Sequence, residues 1–128
     1  MQEWSWIGRD VAVTLHADQI AEHGGAAGTR DEGGMESALA RPLNLAADGT
    51  PDAAELAAAY AYGLARNHPF VDGNKRTAAV VSITFLIVNG LDCSASPADV
   101  VVAFLALAAG ELTEDEMADW FRRHIVPR

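Results

Sequence analysis

The sequence predicts an all-α protein, a compact bundle of six helices around a buried central helix at about residues 74–89. Apolar residues recur at the three- and four-residue spacing of helices through most of the chain. Residues that favour helix starts and helix ends separate these stretches. Half of the 128 residues are apolar, which is enough for one sizeable core, and neither hairpin signals nor domain linkers appear. We therefore predict one domain spanning residues 1–128.

The first helix is predicted over residues 9–23, with Gly24 and Gly25 as its stop. His16 and His23 lie seven residues apart on it, whereas a metal pair on one helix prefers a spacing of four. We interpret both as solvated or hydrogen-bonded histidines. The preceding segment, residues 1–8, is expected to pack on the body through Trp4, Trp6 and Ile7.

A short second helix is predicted at about residues 33–40, with its inward face formed by Met35, Ala38 and Leu39. Pro42 would close it, because proline lacks the N–H that a helix interior needs. The stretch Leu43–Gly49 has no helical period and is predicted to be a connector. Its apolar–polar alternation would also allow it to act as a flap to which a partner strand pairs.

The third helix has strong start signals. Thr50 is the candidate N-cap and Pro51 suits the first helical position, so the helix should run from Ala53 to Asn67. His68 precedes a proline, which biases it out of the α region and places it just beyond the helix.

The last three helices are bounded by caps. The fourth, from about Asn74 to Asn89 with Gly90 after it, is apolar nearly all round and should be buried. The fifth should start at Ser96-Pro97 and end near Gly110. The sixth starts with a capping box, Thr113-x-x-Glu116. Its inner face should carry Met117, Trp120, Phe121 and His124.

The composition and net charge argue against several classes of protein. The formal charge of −9 argues against non-specific nucleic-acid binding, which depends on neutralising phosphates with Lys and Arg. No apolar run reaches the ~18 residues of a membrane span, and the first residues do not resemble a signal peptide. The lone cysteine, Cys93, cannot form an internal disulfide and should be a buried or half-buried thiol. A soluble, cytoplasmic protein is expected.

The stretch HPFVDGNKRT, residues 68–77, concentrates the chemistry. A helix N-terminus offers unpaired N–H groups and partial positive charge, and a glycine before it lets an anion approach. Gly73 and Asn74 provide that arrangement. Lys75 and Arg76 lie in the first turn, where cations oppose the helix dipole, so a bound anion would compensate them. The rival explanation is that they pair with Asp or Glu elsewhere.

Two further residues of this stretch suit phosphoryl or nucleotidyl transfer. Asp72, by itself a turn or cap residue, becomes a natural Mg²⁺ ligand beside phosphates. His68, by itself a structural residue, belongs to the side-chain type that exchanges protons near neutral pH. Such transfer depends chiefly on positioning and charge neutralisation. Neither GxxxxGK(S/T) nor GxGxxG occurs, so neither a P-loop NTPase nor a conventional kinase is indicated.

These residues resemble a known family. HPFVDGNKRT is similar to the signature of the Fic/Doc superfamily, specifically its death-on-curing (Doc) branch, and residues 28–42 resemble the upstream block of that family. The resemblance covers about residues 9–125. AMP-transferring Fic enzymes resemble HPFx(D/E)GNGRxxR. Here Lys75 replaces the second glycine and Ala79 stands at the second arginine, and both departures match Doc toxins.

The resemblance implies an all-helical toxin that moves the γ-phosphate of ATP to a threonine of elongation factor Tu and so arrests translation. It implies that His68 activates the target hydroxyl, that Asp72 holds Mg²⁺, and that segment 43–49 helps to dock the target. The residues implied to bind the nucleotide are Gly73, Asn74, Lys75 and Arg76, with Arg66 assisting.

The resemblance also implies a partner. The self-inhibitory pattern of Fic enzymes is absent, so restraint would come in trans from a small Phd-like antitoxin. Two alternatives stay open at this point. One is AMP transfer to a protein hydroxyl, and the other is a catalytically silent module that binds only an antitoxin or a nucleotide.

Overall fold

The computed structural model describes residues 3–128 and confirms the all-α prediction. Six helices account for most of the chain. They are α1 (Arg9–His23), α2 (Glu32–Asp48), α3 (Ala53–Asn67), α4 (Asn74–Val88), α5 (Pro97–Ala108) and α6 (Glu114–His124). Two three-residue strands, β1 (Leu91–Cys93) and β2 (Ile125–Pro127), form a small antiparallel sheet. Within the described part of the chain, no helix is both long and apolar enough to cross a membrane.

Two neighbouring helices form the centre of the bundle. The predicted central helix is present as α4, and one face of it is buried through residues such as Val81, Phe85 and Leu86. Its neighbour α3 is buried more completely and packs against α2, α4, α5 and α6. Small side chains explain this position, because α3 is rich in alanine and contains Gly63, where α2 approaches closely. A Cβ on Gly63 would lie 2.9 Å from both Cα and Cβ of Ala38.

The prediction for the second helix is wrong at its C-terminal end. The helix does not close at Pro42 but continues to Asp48 with Pro42 inside it. The proline costs one intrahelical hydrogen bond, yet its ring is buried together with Leu39, and α2 packs along the length of α3. This packing outweighs the lost bond. Segment 43–48 is therefore helical, and the predicted connector or strand-pairing flap does not exist there.

The caps follow the sequence signals with one shift. The N-cap of α3 is Asp52 and not Thr50, because Asp52 and Glu55 form a reciprocal capping box. The Asp52 carboxylate accepts from the Glu55 N–H at 2.8 Å and also from Arg122 Nε of α6 at 2.8 Å. The predicted caps Ser96 and Thr113 are confirmed. Helix α4 ends at Val88, one residue earlier than predicted.

The N-terminal segment packs on α4. Trp4 and Trp6 each contact Phe85 with ring centroids 5.9 Å apart, and the Ile7 N–H donates to the Tyr60 hydroxyl at 2.8 Å. This confirms the expected packing of the N-terminal segment, of which residues 1 and 2 lie outside the described range. Burial raises the pKa of Tyr60 to about 12. Cys93 in β1 is half-buried as expected, and burial raises the pKa of its thiol.

The close approach of α2 to α3 gives a first prediction. Alanine usually stabilises a helix relative to glycine by about 1 kcal/mol, but at Gly63 it would clash with the α2 backbone. We expect Gly63→Ala to lower the free energy of unfolding by about 1–2 kcal/mol, measured by denaturant titration. Gly33→Ala is the matched control, since a Cβ there meets only ordinary contacts, and it should be neutral or stabilising by up to about 1 kcal/mol. Equal effects of the two substitutions would contradict this packing.

The Asp52–Arg122 pair gives a pH-dependent prediction. Arg122 lowers the pKa of the Asp52 carboxyl below its ordinary value. Between the folded and the unfolded pKa, the unfolded chain therefore binds more protons than the folded protein. The stabilisation is therefore complete above the unfolded pKa of about 3.9 and is lost as pH falls through the lower folded value. Both side chains are half-exposed, so the contribution at neutral pH should be at most about 1 kcal/mol.

The test is the free energy of unfolding of Arg122→Gln against the wild type between pH 7 and pH 2. We expect the difference to be largest near pH 7 and to shrink at acid pH. Arg123→Gln is the control, because Arg123 makes no ion pair within residues 3–128. A difference that grows toward acid pH would refute the assigned role of Asp52.

Candidate active site

The stretch from His68 to Thr77 forms the loop between α3 and α4 together with the first turn of α4. Two of its residues have left-handed backbone conformations. Gly73, the N-cap of α4, has φ 72° and ψ 23°, which glycine adopts freely. His68, the C-cap of α3, has φ 49° and ψ 55°, and within residues 3–128 it is the one non-glycine residue with positive φ. Such a conformation is uncommon for residues other than glycine, although histidine adopts it more often than most, and residues of this kind cluster at functional sites.

Internal contacts hold this loop in shape. Phe70 is 1% exposed and anchors the loop in the core. The Asn74 side chain accepts from the Phe70 N–H at 2.9 Å and donates to the Phe70 carbonyl at 3.0 Å. The Asn74 amide is thus occupied by the loop itself. Its contribution to a bound anion would come from the backbone N–H at the start of α4.

A second segment, residues 28–31, pairs with the loop from outside. The N–H groups of Arg30 and Asp31 donate to the Pro69 carbonyl at 2.8 and 3.0 Å, and the Val71 N–H donates to the Gly28 carbonyl at 3.0 Å. The Arg30 guanidinium donates to the carbonyl of His68 at 2.6 Å. The backbone of His68 is therefore held by an arginine that lies 38 positions earlier in the chain, in the turn before α2.

Helix α1 contacts the other end of the loop. His16 is 3% exposed, its ring is stacked on Phe70 at 3.9 Å, and its Nε2 lies 2.8 Å from the carbonyl oxygen of Asp72. This confirms the interpretation of His16 as a hydrogen-bonded histidine. Gly25, just after α1, also approaches this site. A Cβ on Gly25 would lie 2.6 Å from Asp72 Oδ2, and the φ of 116° at this position also favours glycine.

Most of the predicted site residues line one pocket of about 210 Å³. Its lining comprises His68, Val71, Asp72, Gly73, Asn74, Lys75 and Arg76. Arg66 is not among them. Its guanidinium lies 5.6 Å from the Tyr62 ring centroid and next to Gly110, at the end of α5. The structure therefore brings together every predicted site residue except Arg66.

The pocket has the electrostatics of an anion site. No side chain caps the N-terminus of α4, and its first turn contains no acidic residue. Within the described residues neither Lys75 nor Arg76 forms a salt bridge, so the rival explanation that they pair with carboxylates is not met. Arg76 donates only to the Gly24 carbonyl, at 3.2 Å. Two cations and the free N–H groups of a helix start thus face a single pocket.

Asp72 is the carboxylate of this pocket. Its Oδ1 accepts from the Gly73 N–H at 2.8 Å, and its Oδ2 lies 3.4 Å from the Ala26 N–H. No cluster of three or more His, Cys, Asp or Glu suited to a metal occurs in residues 3–128. A cation here would have one protein carboxylate and would need further oxygen ligands from phosphates and water. That donor set fits Mg²⁺, which is commonly held in this way.

A larger cavity of about 630 Å³ adjoins the pocket and shares Lys75 and Arg76 with it. Helices α1, α4 and α5 form its walls, which are mainly apolar. Val101 and Leu105 of α5 line it and are 58% and 51% exposed, which is unusual for large apolar side chains. We call this cavity the apolar groove.

The sequence predicted the pocket residues but not three residues that position them. These are Arg30, Gly25 and His16, the last through its contact with Asp72. Each acts on the loop from more than 35 positions away in the chain, and such contacts leave no local pattern. The similarity of residues 28–42 to an upstream family block was the available signal for Arg30.

Comparison with known proteins agrees with this geometry. The Fic/DOC family profile matches residues 6–86, which include the whole loop and the segment paired with it. A relative in Escherichia phage P1, named protein kinase doc, is 35% identical over 120 residues, covering 91% of this chain and 93% of the phage protein. A relative in Mycolicibacterium smegmatis, named toxin Doc, is 45% identical over 83 residues, covering 63% of each chain. The chain therefore belongs to the Fic/DOC family, and within it to the Doc branch.

Proposed function

We propose that this protein is a Doc-type kinase that transfers the γ-phosphate of ATP to a threonine hydroxyl of a translation factor such as elongation factor Tu. It acts as the toxin of a toxin–antitoxin pair. One observation carries the proposal, namely that His68, Asp72 and the uncapped, doubly cationic start of α4 line one pocket. The names of the two relatives, a kinase and a toxin, support it.

The anion site would hold the phosphates of ATP. The N–H groups at the start of α4 and the side chains of Lys75 and Arg76 neutralise their charge. Asp72 would be the protein ligand to Mg²⁺, which when bound would offset the negative charge of the phosphates. Because Lys75 and Arg76 have no carboxylate partner within residues 3–128, binding requires no ion pair to be broken.

The transfer step needs one base. The target hydroxyl gives its proton to a His68 ring nitrogen as its oxygen attacks the γ-phosphorus. The bond from the γ-phosphorus to the β,γ-bridging oxygen breaks, and ADP leaves with that oxygen. His68 is exposed, lines the pocket and is fixed at its carbonyl by Arg30. Its ring is thus available to an incoming protein hydroxyl, while its backbone cannot rotate freely.

The target must reach this pocket without the flap expected at residues 43–49, because that segment is helical. Segment 28–31 pairs with the loop and contacts the backbone of His68. We propose that the target docks beside this segment, next to His68.

An antitoxin is the partner that the proposal requires. We propose that a Phd-like antitoxin places an apolar segment in the apolar groove. The exposed valine and leucine side chains of α5 would be covered by it, and an acidic residue on the segment would meet Lys75 and Arg76 where the groove joins the pocket. Occupation of those cations would compete directly with ATP.

The transfer assay tests the catalytic proposal. Purified protein is incubated with Mg²⁺, elongation factor Tu or cell lysate, and ATP labelled at either the γ or the α phosphate. We expect protein-bound label from γ only, reduced about 10²–10⁴-fold in His68→Asn. Asparagine is chosen because it tolerates the left-handed conformation better than alanine does, so the loop should keep its shape.

Asp72→Asn is the second variant, and it should abolish the Mg²⁺-dependent reaction. Unfolding midpoints of both variants serve as the control for folding. Label from α would assign AMP transfer instead, and would mean that Lys75 does not select the chemistry. Nucleotide binding without label on any protein would favour the silent module.

The groove gives a separate prediction. Val101→Asp with Leu105→Asp should keep phosphoryl transfer but lose relief by a co-expressed antitoxin, because a charged groove wall rejects an apolar segment. Val102→Asp is the matched control, since Val102 lies on the same helix, is 67% exposed and does not line the groove. The measurement is growth of cells that express toxin and antitoxin together. Loss of relief in Val102→Asp as well, or in neither variant, would remove the groove from the proposal.

A further inference from the structure

We propose that His16 is a positioning residue that fixes the Asp72–Gly73 peptide and through it aims the Asp72 carboxylate. The expected effect on catalysis rests on the function proposed above. The positioning of the Asp72–Gly73 peptide rests only on the contacts of α1 with the loop. His16 lies 56 positions before Asp72 in the chain and does not line the pocket.

The geometry assigns the proton of the imidazole. Nε2 of His16 lies 2.8 Å from the Asp72 carbonyl oxygen, which can only accept a hydrogen bond. Nε2 therefore carries the hydrogen. The ring is stacked nearly parallel on Phe70, with an interplanar angle of 6°, so its direction is fixed by the residue that anchors the loop.

The peptide between Asp72 and Gly73 links this bond to the carboxylate. A peptide unit is planar, and its C=O and N–H point in opposite directions. The C=O edge receives the hydrogen bond from His16, and the N–H edge donates to Asp72 Oδ1 at 2.8 Å. Rotation of the plane would break both bonds together. His16 thus holds the carboxylate indirectly, through the peptide unit.

The rest of the loop has anchors of other kinds. Arg30 holds the carbonyl of His68, and Asn74 holds both polar groups of Phe70. Among the described residues, His16 provides the side-chain contact to the Asp72 backbone. A Cβ on Gly73 would lie 3.9 Å from Nε2, so the same imidazole also borders the start of α4.

A role in core packing alone would not need a histidine. His16 and Ala12 are the buried residues of α1, and an apolar ring would fill the same space against Phe70. A buried polar side chain instead needs a partner, and here that partner is the backbone of the proposed Mg²⁺ ligand. Residues that orient a metal ligand typically change metal affinity or activity 10–100-fold when replaced.

Two variants separate the hydrogen bond from the stacking. His16→Phe keeps a ring against Phe70 but has no donor, whereas His16→Gln places an N–H donor near the position of Nε2 without the ring. We expect His16→Phe to raise the Mg²⁺ concentration for half-maximal transfer about 10-fold or more at saturating ATP, with a smaller change in KM for ATP. His16→Gln should stay within about 3-fold of the wild type.

Amide hydrogen exchange provides a readout that does not depend on activity. We expect the Gly73 amide to exchange about 10-fold faster or more in His16→Phe, while amides in the centre of α3 stay unchanged and His16→Gln resembles the wild type. Wild-type exchange at Gly73 in His16→Phe would overturn the proposal, whether or not the protein transfers phosphate. Faster exchange at Gly73 in a protein without transferase activity would retain the positioning role and reject the proposed function.

The wild-type protein gives a final check if the variants fold poorly. The ¹⁵N shifts of the His16 ring should report a protonated Nε2 that exchanges slowly with solvent. A bare Nε2, with the proton on Nδ1, would overturn the assignment, because such a ring cannot donate to the Asp72 carbonyl.

Discussion

The candidate active site depends on a loop that joins α3 to α4 within six residues. It does so through two left-handed positions, His68 and Gly73, and only the second is a glycine. A histidine in that conformation persists only when its surroundings determine it. Arg30 and Asn74 supply these surroundings from two directions. The fold therefore contributes to the site mainly by placing α1 and the turn before α2 against the loop.

A second constraint is electrostatic. The chain carries a net charge of −9, yet it places two cations at the positive end of α4. Helix stability alone would favour acidic residues there, as in α6, whose first turn contains Glu114, Asp115 and Glu116. The arrangement at α4 opposes the helix dipole, and the anion binding proposed above would offset that cost. Such a local cost is typical of sites selected for function.

The sequence was sufficient where the determinants were local. Helical spacing and caps such as Ser96 and Thr113 predicted the helices, and the motif predicted the pocket. Prediction failed where distant parts of the chain decide the outcome. Pro42 remains inside α2, which packs against α3, and the two short strands pair across more than thirty residues. The cap of α3 was a choice between two local signals, and the capping box of Asp52 with Glu55 takes it from Thr50. Arg66 was assigned by its resemblance to an arginine of Doc proteins, and its guanidinium lies next to Gly110, just after α5.

The positions of Lys75 and Ala79, the two departures from the AMP-transferring pattern, suggest what each departure changes. Lys75 and Ala79 are one helical turn apart on α4, so they lie on the same face. Lys75 borders both the pocket and the apolar groove, whereas Ala79 borders only the groove. Relative to the AMP-transferring pattern, a cation is therefore absent from the groove side and present at the helix start beside His68. Phosphate groups are attracted to positive charge. The shift therefore favours binding of the terminal phosphate at the start of α4, and it leaves the groove apolar. On the function proposed above, the same pair of changes would account both for transfer from the γ position and for a groove suited to an apolar partner.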